Sequence, residues 1–95
     1  MTHVSVRAGH VLLIDRFPFS DGRGAKTRPA VVVDSKPGRL IVAGIYSGPG
    51  HRRRPFRAST GNGLNRDGYV DLRPVEVHTT QIVSVLGYDS WGEFA

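Results

Sequence analysis

Arg28 stands directly ahead of Pro29 and the apolar run Ala30-Val31-Val32-Val33. Proline fixes its own φ and biases the residue before it toward an extended backbone, so this guanidinium departs from a defined place at a strand edge. Held in that way, its paired N–H donors match the spacing of phosphate oxygens. The preceding stretch Ser20-Asp21-Gly22-Arg23-Gly24-Ala25-Lys26-Thr27 is Gly-rich and cationic. Gly22 and Gly24 permit the tight, positive-φ backbone of an anion-cradling loop, to which Arg23 and Lys26 add charge. A second cationic stretch, His51-Arg52-Arg53-Arg54-Pro55-Phe56-Arg57, follows Gly48-Pro49-Gly50. Arginines with an aromatic among them can track a single nucleic-acid strand while Phe56 or Tyr46 stacks on a base. Phe56 reads equally well as a strand residue packed inward, and His51 as an exposed loop histidine.

The charge balance agrees with this placement. Overall the 95 residues carry +5, but residues 21–57 hold nine Lys/Arg against Asp21 and Asp34, a local +7. Residues 58–95 hold Arg66 and Arg73 against five acids, or −3. Basic charge gathered in two loops that one face can share is the footprint of a polyanion binder. A solvated basic surface without a partner has the same balance, and charge alone leaves both readings open. There is no cysteine, hence no disulfide or thiolate chemistry, which fits a reducing cytoplasm. The four histidines lack metal-ligand spacing, so no metal or other cofactor is expected. No apolar run approaches the ~20 residues of a membrane span, so no membrane association is expected either.

Elements that could hold these side chains are short. Val11–Ile14, Ala30–Val33 and Leu40–Ile45 are apolar runs bounded by Gly, Pro and Asp, which predicts buried strands. Ser35-Lys36-Pro37-Gly38 has the chemistry of a tight turn and predicts that the second and third runs form a hairpin. Further strands are predicted over Pro55–Thr60, Tyr69–Arg73, Val75–His78 and Ile82–Leu86, with turns at Asn62-Gly63 and Asp67-Gly68. Near the end, Ser90 and Glu93 have capping-box spacing for a single helical turn, and Gly92 argues against a longer helix. Trp91 and Phe94 read as packing aromatics that plug one end of the fold. The expectation is one mainly all-β domain over residues 8–95, a small barrel with at most short helical turns, behind a flexible N-terminus of residues 1–7.

In order and spacing the chain resembles the PemK/MazF-like toxin endoribonucleases of toxin–antitoxin systems. The opening Gly9-His10-Val11-Leu12-Leu13-Ile14-Asp15, the Phe17-Pro18-Phe19 turn and Arg28-Pro29-Ala30-Val31 are similar to that family's first strand, turn, loop and second strand. Leu40–Ser47, Gly63–Val70 and Ile82–Gly87 resemble its later segments, so the likeness spans about residues 8–88. It implies an SH3-like barrel of the PemK/MazF/CcdB type, a homodimer, a cognate antitoxin partner, and metal-independent cutting of single-stranded RNA such as mRNA.

The family's pre-proline arginine falls on Arg28. Its strand-closing hydroxyl falls on Tyr46, where Thr is usual, with Ser47 next, and Ser47 is the favoured residue. Its later Arg-x-Asp pair reads Asp71-Leu72-Arg73, with the charges exchanged. Attack by the RNA 2′-OH needs a base, a cation for the phosphate's growing charge and an acid for the leaving 5′ oxygen. Arg28 supplies the cation, Asp71 can act as base if Arg73 or Arg28 orients it, and Ser47 can hydrogen-bond the phosphate. Arg23, Lys26, Tyr46, Arg52, Arg53, Arg54, Phe56 and Arg57 are the expected RNA-binding set. The bland alternatives are an edge-strand arginine for Arg28, a surface ion pair for Asp71 and Arg73, and a turn residue for Ser47. Tyr46 and the exchanged pair also keep open a non-catalytic barrel that binds nucleic acid or inhibits a protein target.

Overall fold

A computed structural model describes residues 6–18 and 25–94. Residues 1–5 and most of the predicted glycine-rich loop, 19–24, lie outside them. Seven antiparallel strands form one sheet: β1 (His10–Pro18), β2 (Ala25–Lys36), β3 (Arg39–Tyr46), β4 (Arg53–Phe56), β5 (Gly68–Asp71), β6 (Val75–His78) and β7 (Ile82–Tyr88). The order is β4-β5-β3-β2-β1-β7, with β6 also paired to β3. Among the described residues no pairing of β4 with β7 closes the sheet. Among the described residues helix is limited to a 3-10 turn at Thr79–Gln81 and α1 at Trp91–Phe94.

The three apolar runs predicted as strands form the middle of β1, β2 and β3, and the predicted hairpin joins β2 to β3. Alternation along a strand sends neighbours to opposite faces. Leu12, Ile14, Ala30, Val32 and Val42 accordingly join one apolar cluster with Phe17, Leu40 and Val77. Val11, Val31 and Ala43 join another with Ile45, Phe56 and Val70. The central strands are thus buried on both faces. Each cluster is small, as a domain of this length allows.

Both long strands extend past their apolar runs. β1 continues through a bulge where its register with β2 shifts between Ile14 and Phe17, and Arg16 takes φ 52°. The bulge turns Phe17 into the core. Gln81 braces it, donating to the Asp15 carbonyl at 2.9 Å while accepting the His78 N–H at 2.9 Å. A second irregularity lies along the far edge of β3. Val42 pairs with Val75 on β6 and Ile45 with Val70 on β5, so Ala43 and Gly44 face the four residues 71–74. Pro74, which cannot donate to a ladder, sits in this bulge.

Several predicted boundaries move. The strand predicted over Pro55–Thr60 is β4, ending at Phe56, because the following loop folds around the buried Asn62 instead of pairing. The strand predicted over Tyr69–Arg73 ends at Asp71, where the bulge begins. The terminal helical turn forms, but Asp89 takes the capping part expected of Ser90: its carboxylate accepts the Trp91 N–H at 2.9 Å. Trp91 packs against the second cluster, edge-on to Phe56, as a packing aromatic should. Ahead of β1, Val6 packs on the first cluster and the Arg7 carbonyl accepts the His10 N–H.

Candidate functional site

Ala30 of β2 pairs with Gly44 of β3, and continuing that register by two residues sets Arg28 opposite Tyr46. Directly opposed residues of antiparallel strands share a face, so the guanidinium and the phenol ring meet. The Arg28 guanidinium carbon lies 4.2 Å from the ring centroid, and Nη1 donates to the Ile45 carbonyl at 3.1 Å. Burial pushes this guanidinium below arginine's ordinary pKa, Tyr46 acts in the opposite sense, and the neighbouring cation Arg53 adds to the lowering. A guanidinium stays charged at any physiological pH, so the arrangement is a fixed, partly desolvated cation.

Arg53 reaches the same ring from β4, its guanidinium carbon 3.8 Å from the centroid. It also donates from Nη1 to the Gly48 carbonyl at 3.1 Å. Arg52 before it adopts φ 62° in the turn that leads into β4. Gly68 on β5 lets the strands close here, because a Cβ at that position would lie 2.6 Å from the Tyr46 carbonyl oxygen.

Two clefts adjoin at Tyr46. One, of about 420 Å³, holds Arg28 and Ser47 with Asn65, Arg66 and Asp67 from the loop before β5. The other, of about 240 Å³, holds Asp71 and Arg73 beside Phe17 and Gly44. The four residues expected to carry chemistry therefore divide into two pairs on either side of one ring. Strand alternation is not what joins Asp71 to Arg73, since Arg73 lies in the bulge beyond β5. Asp71 Oδ1 instead accepts the Arg73 backbone N–H at 2.8 Å. The pair is not a surface ion pair: among the described residues those are Arg16–Asp15 and Arg39–Glu76.

Comparison with models of protein families and with curated proteins finds no match to this chain.

Among the expected RNA-binding residues, Lys26, Arg52, Arg54 and Arg57 are exposed, and Arg23 lies outside the described residues. Phe56 is 4% exposed and sits in the second cluster against Trp91. Of its two readings the inward one holds, and it offers no face to a base. The ring of Tyr46 is occupied by two guanidiniums rather than open for stacking. Asn65, Arg66 and Asp67 are site-lining residues that sequence reasoning passed over as a turn. The signal available was Arg66 beside Asp67-Gly68, a cation where the turn delivers the chain to the sheet. Asp67 itself accepts the Ala58 N–H at 2.8 Å, which ties this loop to the end of β4.

Proposed function

We propose that this protein is a metal-independent endoribonuclease of the PemK/MazF type, acting on single-stranded RNA. The observation that carries the reading is Arg28, a partly desolvated cation fixed by the Ile45 carbonyl and the Tyr46 ring at the wall of a cleft that also holds Ser47. Preorganised donors of this kind stabilise charge as it develops on a phosphate. In the reaction the strand lies across Tyr46 from one cleft into the other, and Asp71 takes the proton from the 2′ hydroxyl as its oxygen bonds to phosphorus. Arg28 and Ser47 bind the nonbridging oxygens, and the bond to the 5′ oxygen breaks as solvent water protonates that oxygen. The products are a 2′,3′-cyclic phosphate and a 5′ hydroxyl. The Arg73 backbone N–H is the group that orients Asp71.

The finer architecture we propose is an SH3-like barrel left open between β4 and β7, with both faces of the central strands covered. The protein works as a homodimer, is held inactive by a cognate antitoxin and resides in the cytoplasm. A dimer is supported by the edge strand β7, whose Val83 and Val85 are exposed. No helix among the described residues is long and apolar enough to cross a membrane.

Incubating the purified protein with a long single-stranded RNA in EDTA tests the activity. Fragments ending in 2′,3′-cyclic phosphate are the expected result. Intact RNA in EDTA together with cleavage on adding a divalent metal would overturn it. RNA that stays intact under both conditions but binds tightly would favour the non-catalytic barrel.

The exposed arginines on either side of Arg53 make a separate prediction. Replacing Arg52 and Arg54 together with Ala should reduce affinity for single-stranded RNA of any sequence. The slope of log K against log salt should flatten by about 1.4, roughly 0.7 for each phosphate no longer neutralised. Titrations at several salt concentrations that return an unchanged slope would show these side chains to be merely solvated.

A further inference from the structure

We infer that Arg53 is the second cation of the phosphate site and that Tyr46 is a positioning residue, a platform that holds Arg53 and Arg28 together. This rests on the reading of Arg28 as a phosphate ligand.

Position 46 invites two other roles, a hydroxyl for catalysis or a ring for base stacking, and the geometry favours neither. The ring is in contact with two guanidiniums, at 4.2 Å and 3.8 Å from its centroid. Each guanidinium is anchored a second time by a backbone carbonyl, Ile45 for Arg28 and Gly48 for Arg53, and both carbonyls belong to the chain on either side of Tyr46. Ring and carbonyls together fix two like charges as near neighbours around one side chain.

Such an arrangement works against itself electrostatically, as the lowering of Arg28's pKa by Arg53 records. The ring contacts and carbonyl hydrogen bonds offset part of that repulsion. The flanking Arg52 and Arg54, by contrast, are exposed. An anion relieves the repulsion, and of the five N–H donors on the Arg53 guanidinium the Gly48 carbonyl accepts one. The chemistry that fits is the sugar–phosphate backbone of a single strand, gripped by both cations through its phosphates. Tyr46 supplies the aromatic face that aligns them, and its hydroxyl is dispensable.

The test uses a 2′-deoxy single strand, which binds but cannot be cut by attack of a 2′-OH, with affinity read by fluorescence anisotropy at fixed salt. Tyr46→Phe should bind as the wild type does, and Tyr46→Leu should lose about tenfold because the platform is gone. Arg53→Ala should lose about tenfold, against about threefold for the exposed Arg54→Ala, and Arg53→Lys should recover only part of the loss. The Nε–H resonances of Arg28 and Arg53 should carry a ring-current shift in the wild type and in Tyr46→Phe, absent in Tyr46→Leu, a signature that a mere loss of stability does not produce. Equal losses in Tyr46→Phe and Tyr46→Leu would return the role to the hydroxyl and overturn the inference. So would an Arg53→Ala variant no weaker than Arg54→Ala. Cleavage of RNA by the wild type is scored separately. If it is absent while the binding pattern holds, the nuclease reading falls and the cation pair stands; if cleavage occurs without that pattern, only the cation pair falls.

Discussion

Arg28→Ala is expected to lower the rate of RNA cleavage by about 10²–10³, the usual cost of removing one preorganised donor from a developing oxyanion. Single-turnover cleavage of an RNA in EDTA measures it. The loss should fall on the rate of the chemical step more than on affinity, because the exposed arginines still hold the strand. Some stability goes as well. Arg28 lies within β2, donates to the Ile45 carbonyl and covers the Tyr46 ring, so the variant should be weakened by roughly 1–2 kcal/mol, the worth of one hydrogen bond and the packing that goes with it. That shift is small against the ~5–15 kcal/mol of a typical domain, and a melting curve confirms that the fold persists. Arg28→Lys should restore the melting temperature better than it restores the rate, since an ammonium keeps the charge but loses the planar fork. Full cleavage by Arg28→Ala would remove the endoribonuclease proposal.

How far such a site can be read from sequence depends on which of its features are local. The apolar runs of β1, β2 and β3 were legible because four or five apolar residues between Gly, Pro and Asp have little choice but a buried strand. The continuation of β1 through Asp15 and Arg16, and of β2 back through Lys26 and Thr27, was not. Polar residues there are carried into the ladder by the partner strand, not by their own propensity. Arg28 announced itself through Pro29, a neighbour in sequence. Its meeting with Tyr46 and Arg53 depends on the register of β2 with β3 and on the turn into β4, neither of which leaves a mark in the local pattern. Asp71 and Arg73 stand two apart, a spacing that shares one face only on a straight strand, and the bulge opposite Ala43 and Gly44 takes Arg73 off the strand. Phe56 could be read two ways because a single aromatic in a four-residue strand has no periodicity to settle its face.

Asn62→Ala should be the most destabilising single substitution outside the apolar clusters. Asn62-Gly63 has the spelling of a simple turn, yet Asn62 is 0% exposed. Its Oδ1 accepts the N–H groups of Ser59 and Leu64 at 3.0 Å and 3.1 Å. Nδ2 donates to the Arg57 carbonyl at 2.8 Å and to Asp89 Oδ2 at 3.0 Å. Two donors and two acceptor positions are the whole capacity of a side-chain amide, and all four are used. Through them Asn62 joins the loop after β4 to the junction of β7 with α1. Alanine leaves two N–H groups, a carbonyl and a carboxylate oxygen without their partner. At roughly 1–3 kcal/mol for each buried group, less what water recovers as the loop opens, the total comes to about 3 kcal/mol. For a domain of this size that is a fall of about 15 °C in Tm. Cleavage should fall too, because the loosened loop carries Asn65, Arg66 and Asp67 into the cleft beside Arg28. Asn62→Asp separates hydrogen bonding from shape. It is nearly isosteric, but turns the donor that faced Arg57 and Asp89 into a carboxylate oxygen. A carboxyl there, beside Asp89 and away from water, has its pKa raised above the unfolded value of about 3.9. Its folded form is therefore favoured while protonated, and stability is lost as pH rises through the raised value. Thermal melts should show Asn62→Asp closest to the wild type near pH 4 and falling away toward pH 7, while the deficit of Asn62→Ala stays nearly level. A Tm for Asn62→Ala within a few degrees of the wild type would mean that this loop stands without its buried amide.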